Sequence, residues 1–216
     1  LESASRSLLT TYGELKAADA SVERVFEVMD ASDVVRDSPR ARPLPDRRGH
    51  AAGRIEFDGV WFGYSAERPV LRGLSLEIEA GETVALVGLS GAGKTTLASL
   101  VPRFFDPAEG SVRLDGIDVR EVKLASLRAE VALVLQDPFI LPVSVLDNIA
   151  YGRPEATRDD IIAAAAAAHA HDFIRDFPEG YDTILHEHGQ NLSGGQRQRL
   201  AIARALLRDP RVLILD

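Results

Sequence analysis

The sequence predicts an α/β protein with a mostly parallel sheet, and three observations lead there. A compact apolar run, Thr83–Val87, enters a glycine loop and then a helix from about 94 to 104. Two more apolar runs, Val131–Leu135 and Val212–Leu215, have the length and composition of buried strands. Helical segments lie between these runs, and strands alternating with helices give parallel sheets covered by helices.

The remaining elements follow in chain order. Residues 1–30 read as one amphipathic helix, with Leu8, Tyr12, Leu15, Val22, Phe26 and Met29 at steps of three and four and Asp19 interrupting the stripe. It reads either as a helix packed on a core or as one continuing from upstream. The absence of an initiator Met favours a piece of a longer chain. Residues 31–53 carry Pro39, Pro43 and Pro45 among five arginines. Proline spaced this way denies helix and central strand, so the segment reads as a solvated linker, with contact to anionic lipid headgroups as the alternative. From Arg54 the α/β pattern begins, with strand-like runs at 55–62 and 74–78 and a turn over Glu79–Glu82. Ser111–Leu114 alternates and ends at Asp115-Gly116, a hairpin turn. Residues 144–177 read as mostly helical, with the alanines of 161–170 as helix formers in a tolerant surface segment. A strong helix covers about 194–208. No internal repeat is evident.

Composition narrows the function. The 216 residues hold 25 Lys+Arg and 33 Asp+Glu, a net charge of −8, which opposes the basic footprint of a nucleic-acid binder but not a local phosphate pocket. Apolar residues make up 45%, as in globular proteins. With no cysteine, disulfide scaffolds, thiolate metal sites and cysteine nucleophiles are excluded. No run of 18 apolar residues predicts a membrane span, and the N-terminus lacks the pattern of a signal peptide.

The chemistry is concentrated in two glycine-rich motifs. Gly88-Leu89-Ser90-Gly91-Ala92-Gly93-Lys94-Thr95 satisfies G-x-x-x-x-G-K-[ST], with an apolar run before it and a helix after it. Glycines let such a loop wrap with its N–H groups inward, and the helix aims its positive end at the same point. Lys94 is expected to bridge the β- and γ-phosphates, and the Thr95 hydroxyl to ligate Mg²⁺. Downstream, Leu192-Ser193-Gly194-Gly195-Gln196 opens a helix. Ser193 can cap it, and the two glycines permit close backbone approach. Taken alone, this is equally a capped helix with a flexible entry. It precedes Val212–Asp216, an apolar strand ending in a carboxylate placed to hold Mg²⁺ through a water; alone that pattern says little, and the phosphate loop upstream gives it weight.

In that order, the phosphate loop, LSGGQ and VLILD resemble the ATPase domain of ABC transporters over about residues 54–216. The resemblance implies a P-loop NTPase core, an N-terminal antiparallel β subdomain and a helical subdomain at about 140–195. It implies ATP as ligand, bound by Tyr64 stacking on adenine, by Gly88, Ser90, Gly91, Ala92, Gly93, Lys94, Thr95 and Thr96 on the phosphates, and by Ser193, Gly194, Gly195 and Gln196 on a partner's nucleotide. Tyr64 reads alternatively as a strand-end core aromatic. Lys94, Gln136 and Asp216 are the implied catalytic residues; Thr95, Gln136 and Asp216 are the implied Mg²⁺ shell. Glu187 in HEHGQ resembles the exporters' contact to coupling helices, and QDPFILPVSVLDNIAYG the exporter form of the helical subdomain. Residues 1–30 resemble the cytoplasmic end of an exporter's last transmembrane helix, followed by a linker at 31–53.

The implied partners are a second ABC ATPase domain, identical or not, and a transmembrane domain of the same parent chain, with this segment on the cytoplasmic side of the cell membrane and no nucleic acid. Residues 1–53 disfavour a separate importer subunit. Only 99 residues separate Lys94 from Ser193, too few for the coiled coils of chromosome-maintenance ATPases. A catalytically inactive dimerisation module stays open. In the family a glutamate follows the aspartate and a switch histidine comes later, whereas the sequence stops at Asp216. The chain by itself is therefore expected to be an inactive fragment. The pairs His169/His171 and His186/His188 lack a third metal ligand.

Overall fold

The computed structural model describes residues 35–45, 53–65 and 67–216, together with Lys16, Val22 and Phe26. Two compact units are present, Leu1–Arg36 and Asp37–Asp216. In the first, Lys16, Val22 and Phe26 are helical and exposed; the rest of the expected helix lies outside the described residues.

In the second unit, β1 (Ile55–Phe62) lies between β2 (Leu71–Ile78) and β3 (Glu109–Leu114), both antiparallel to it, and β4 (Ile117–Asp118) closes the order β2-β1-β3-β4. β2 begins three residues before the expected Leu74. Ile55 and Phe57 turn inward by alternation, and the register irregularity after Phe57 lets Val60 and Phe62 turn inward too. The hairpin at Asp115-Gly116 needs positive φ at both central positions, and they have 52° and 78°. Asp118 lies in this sheet. Burial raises its carboxyl pKa, but hydrogen bonds from the Arg120 side chain and backbone outweigh that and hold it below the ordinary value.

A second sheet pairs β5 (Val131–Val134) with β6 (Val212–Leu215) in parallel. Helix α1 (Lys94–Leu100) and helix α2 (Leu124–Glu130) precede β5. Residues 137–207 supply α3 (Val145–Ala150), α4 (Arg158–Ala167), α5 (His171–Arg175) and α6 (Gly194–Leu207). Their apolar core, with Ile149, Ile161, Ile174 and Leu200 almost wholly buried, is separate from the core beneath β1.

Three expectations change. First, Thr83–Val87 forms no strand: residues 82–89 carry no regular secondary structure, and Val87 is 94% exposed. Among the described residues the segment has no strand partner, and a cleft of about 680 Å³ is lined by both Thr83–Leu86 and β6. Second, the alanines at 161–170 are not a surface segment. Ala164, Ala165, Ala168 and Ala170 are buried, and small side chains let α4 approach α6 closely. Third, residues 37–45 are largely exposed, as a solvated linker would be, but they are tied to the domain. Arg42 N–H donates to Glu121 O and Arg42 O accepts from Lys123 N–H, each at 2.9 Å. Leu44 is 9% exposed in the β1 core, its N–H donating to Ser126 Oγ.

Candidate functional site

The glycine loop ends where α1 begins, and Gly93 makes the junction possible. Its φ of 91° suits glycine, and a Cβ there would meet Val70 Cγ1 at 3.0 Å and Leu71 Cδ2 at 3.2 Å. Gly91 also has positive φ, 79°, but open space around it. Gly88, Ser90, Gly91 and Ala92 are exposed, and Ala92 N–H donates to Leu89 O. Lys94 Nζ bends back over the loop, donating to Gly88 O and Leu89 O at 3.0 Å each. An ammonium held only by two exposed carbonyls exchanges them readily for a stronger anionic acceptor.

At the second residue of α1, Thr95 Oγ1 donates to Asp216 Oδ1 at 3.0 Å across 121 residues of sequence. β6 delivers this carboxylate through its pairing with β5, sealed by Asp216 N–H donating to Val134 O at 2.9 Å. Gln136 leaves the same end of β5 and is exposed. Gln136 and Asp216 thus emerge from the carboxyl ends of adjacent parallel strands, where open α/β sheets bind ligands. Among the described residues no three His, Cys, Asp or Glu side chains cluster as a metal site. A hydroxyl and a carboxylate already in contact suit a hard cation that keeps several waters, as Mg²⁺ does.

Tyr64 is 62% exposed, which fits a stacking platform rather than a core aromatic. Its hydroxyl lies 3.1 Å from Thr96 Oγ1, so the structure joins Tyr64 to the phosphate-loop helix.

The second motif is built as a capping box. Gln196 N–H donates to Ser193 Oγ at 3.2 Å, and Ser193 N–H donates to Gln196 Oε1 at 2.8 Å. Gly194 and Gly195 are exposed; a Cβ on either would meet only arginine side-chain tips, at 3.9 and 3.8 Å. Among the described residues, no hydrogen bond or ion pair links Ser193–Gln196 to the phosphate loop, so the structure does not bring the two motifs together within one chain. Glu187 is exposed in a short 3₁₀ turn, Glu187–Gly189.

Sequence reasoning missed the groups that hold these motifs in place. Asn148 is wholly buried and bonds Leu141, Val143 and Ser144, the segment downstream of Gln136. Arg204 of α6 reaches the same side chain at 3.1 Å and donates to the carbonyls of Asn148 and Phe139. Burial lowers the Arg204 pKa below its ordinary value. The available signal was Asn148 itself, a polar residue on the apolar face of a short helix.

These elements define a P-loop NTPase fold. The sequence profile of the ABC transporter family matches residues 71–216, and the chain belongs to that family. It is 48% identical over 98% of its length to the ATP-dependent lipid A-core flippase of Thiobacillus denitrificans, covering 36% of that protein. It is 48% identical over 92% of its length to a multidrug efflux ATP-binding/permease protein of Mycobacterium tuberculosis, covering 16% of it. A solved structure of a bacterial Atm1-family ABC exporter with ATP bound superposes with a TM-score of 0.83 at 42% identity, over 95% of this chain and 35% of that one. The chain spans about a third of the length of the first curated relatives it matches.

Proposed function

We propose that this chain is the ATP-binding motor portion of an ABC exporter, with hydrolysis the activity of the intact parent. The observation that carries the reading is the Thr95–Asp216 contact at the base of the loop that Lys94 closes. It joins two residues 121 apart into one phosphate and cation site. Likeness to a putative multidrug export ATP-binding/permease protein of Bacillus subtilis runs over 98% of the chain, including most of residues 1–53, which supports the exporter arrangement over a separate importer subunit. The parent is then a membrane protein with a transmembrane domain in the same chain and this segment on the cytoplasmic side. Boundaries at about 30 and 54 separate the end of its last membrane helix, a connecting segment and the ATPase domain.

In this reading, Tyr64 stacks on adenine while Gly88, Ser90, Gly91, Ala92, Gly93 and Thr96 surround the phosphates. Thr95, Asp216 and Gln136 are the residues that would hold Mg²⁺, and the ion would supply neutralisation of phosphate charge. Lys94 leaves its two loop carbonyls for the γ-phosphate. In the intact parent a water oxygen adds in line to the γ-phosphorus as the bond to the β-phosphate oxygen breaks, the water's proton leaves to solvent, and the Lys94 ammonium offsets the charge that develops. Ser193, Gly194, Gly195 and Gln196 act on the nucleotide of a second ATPase domain in a head-to-tail dimer, which is why they lie free of this chain's own loop.

The test is Mg-ATP binding by calorimetry for the chain, with turnover and export measured in the reconstituted parent. Lys94→Ala is expected to weaken binding at least tenfold and abolish turnover, and Asp216→Asn to remove the Mg²⁺ dependence of binding. Parent-like binding and turnover in Lys94→Ala refute the site.

A further inference from the structure

Three aromatic rings meet beside the phosphate loop. Phe62, at the end of β1, is 6% exposed and anchors the group. Tyr64 stands edge-on to it, centroids 5.2 Å apart at 84°. Phe105 stands edge-on to Tyr64 from another side, 5.4 Å away at 89°, and also touches Phe62 at 5.4 Å. Perpendicular rings at this separation are the favourable arrangement, with a positive ring edge against a negative face.

The backbone fixes where Phe105 sits. Ala108 N–H donates to Trp61 O at 2.8 Å, and Trp61 pairs with Glu109, so residues 105–109 follow the end of β1. On the Tyr64 side, Val70 N–H donates to Phe62 O at 2.7 Å, and Gly63 has no room for a side chain, since a Cβ would lie 2.5 Å from Arg68 O. The Tyr64 ring is thus bounded by two ring contacts and by its hydroxyl contact to Thr96.

Phe105 is 37% exposed. A ring placed only to fill the core would be buried like Phe62. Its removal leaves the Tyr64 ring held by the Phe62 contact and the Thr96 hydroxyl contact, and so with more rotational freedom.

We propose that Phe105 is the positioning residue of the nucleotide-base platform: it holds the Tyr64 ring in the orientation that stacks on a purine, without touching the phosphates. The inference rests on the nucleotide reading above and deepens it. An exposed aromatic left with one ring neighbour must be ordered on binding, and that ordering lowers affinity for any ligand carrying a base. Ligands carrying only phosphates do not meet Tyr64 and are unaffected. Because the platform presents a π-face, ATP and GTP lose affinity together.

The experiment is calorimetric titration of the chain and its Phe105→Ala, Phe105→Tyr, Tyr64→Ala and double Tyr64→Ala/Phe105→Ala variants with Mg-ATP, Mg-GTP and Mg-tripolyphosphate. Phe105→Ala is expected to weaken both nucleotides about three- to tenfold, the range that the geometry of an aromatic pair is worth, with tripolyphosphate affinity unchanged. Phe105→Tyr restores nucleotide affinity, and Phe105→Ala adds no loss once Tyr64 is Ala. Unchanged nucleotide affinity in Phe105→Ala, equal loss for tripolyphosphate, or a full additional loss in the double variant overturns the role of Phe105. If Tyr64→Ala itself leaves the ratio of ATP to tripolyphosphate affinity unchanged, the base platform fails and this inference with it. A drop in that ratio for Tyr64→Ala but not for Phe105→Ala refutes the Phe105 inference alone.

Discussion

Asn148→Ala is expected to destabilise the protein by about 3 kcal/mol, and the figure follows from what the side chain holds. Its Oδ1 accepts from Leu141 N–H at 3.0 Å and Arg204 Nη2 at 3.1 Å. Its Nδ2 donates to Leu141 O and Ser144 O at 3.0 Å and to Val143 O at 3.4 Å. The residue has no exposed surface. Each buried polar group left without a partner costs about 1–3 kcal/mol. Not every group stays unpartnered: Leu141 and Val143 are only half-buried, so water reaches part of the segment. Arg204 keeps its bonds to the carbonyls of Asn148 and Phe139. The carbonyls keep their backbone donors, so Leu141 N–H and Arg204 Nη2 are the two groups left dry, at about 2–6 kcal/mol by the same rule. The measurement is urea unfolding, where a slope of roughly 2 kcal/mol/M turns that loss into a midpoint drop of about 1.5 M. Hydrogen exchange adds a local readout, since the Leu141 amide loses its acceptor. A loss below about 1 kcal/mol, with the Leu141 amide still protected, would refute the claim that this one side chain fastens the segment after Gln136 to α6.

Three further outcomes are expected. Gly93→Ala places a Cβ 3.0 Å from Val70 Cγ1 at a φ of 91°, and such strain costs about 1–3 kcal/mol; calorimetry should find a lower melting temperature and weaker Mg-ATP binding, and an unchanged melt contradicts the geometry. Ser193→Ala removes one arm of the capping box, which costs about 1 kcal/mol; denaturant unfolding should report that loss while Mg-ATP affinity of the single chain holds, and an equal fall in affinity would contradict action on a partner's nucleotide. Asp118 has a lowered pKa in the folded chain, so its contribution to stability is complete above its unfolded pKa and is lost as pH falls through the folded value. Arg120 is partly exposed and screened, so the effect is at most about 1 kcal/mol, and Asp118→Asn should flatten the acid limb of the stability profile.

The sequence made the site legible wherever one short segment held all the needed chemistry. The glycines, Lys94 and Thr95 are contiguous, and so are Ser193 and Gln196, whose spacing of three fits a capping box. Contacts made across the fold were not legible. Nothing near Tyr64 in sequence points to Thr96 or Phe105, since β1 and β3 must pair before the three residues become neighbours. The buried alanines of α4 escaped for a related reason: alanine is a good helix former on any face, so its identity says little about which face is covered.

Thr83–Val87 shows the same limit from the other side. Its apolar, β-branched composition predicts a strand, yet a strand is a pairing, and β propensity is largely a record of neighbours. β1 already pairs with β2 and β3 on its two edges, so it offers this segment no free edge. β6 pairs with β5, and a cleft is lined by both β6 and Thr83–Leu86. The cleft therefore separates two runs that each retain unpaired backbone groups, and the phosphate loop hangs from one of them while Asp216 ends the other. The Thr95–Asp216 hydrogen bond at 3.0 Å spans that division at its functional end. The position of Asp216 is then set by two contacts, the Val134 carbonyl behind it and the Thr95 hydroxyl ahead of it. The site's geometry thus depends on how β6 is held against β5 as much as on the glycine loop itself.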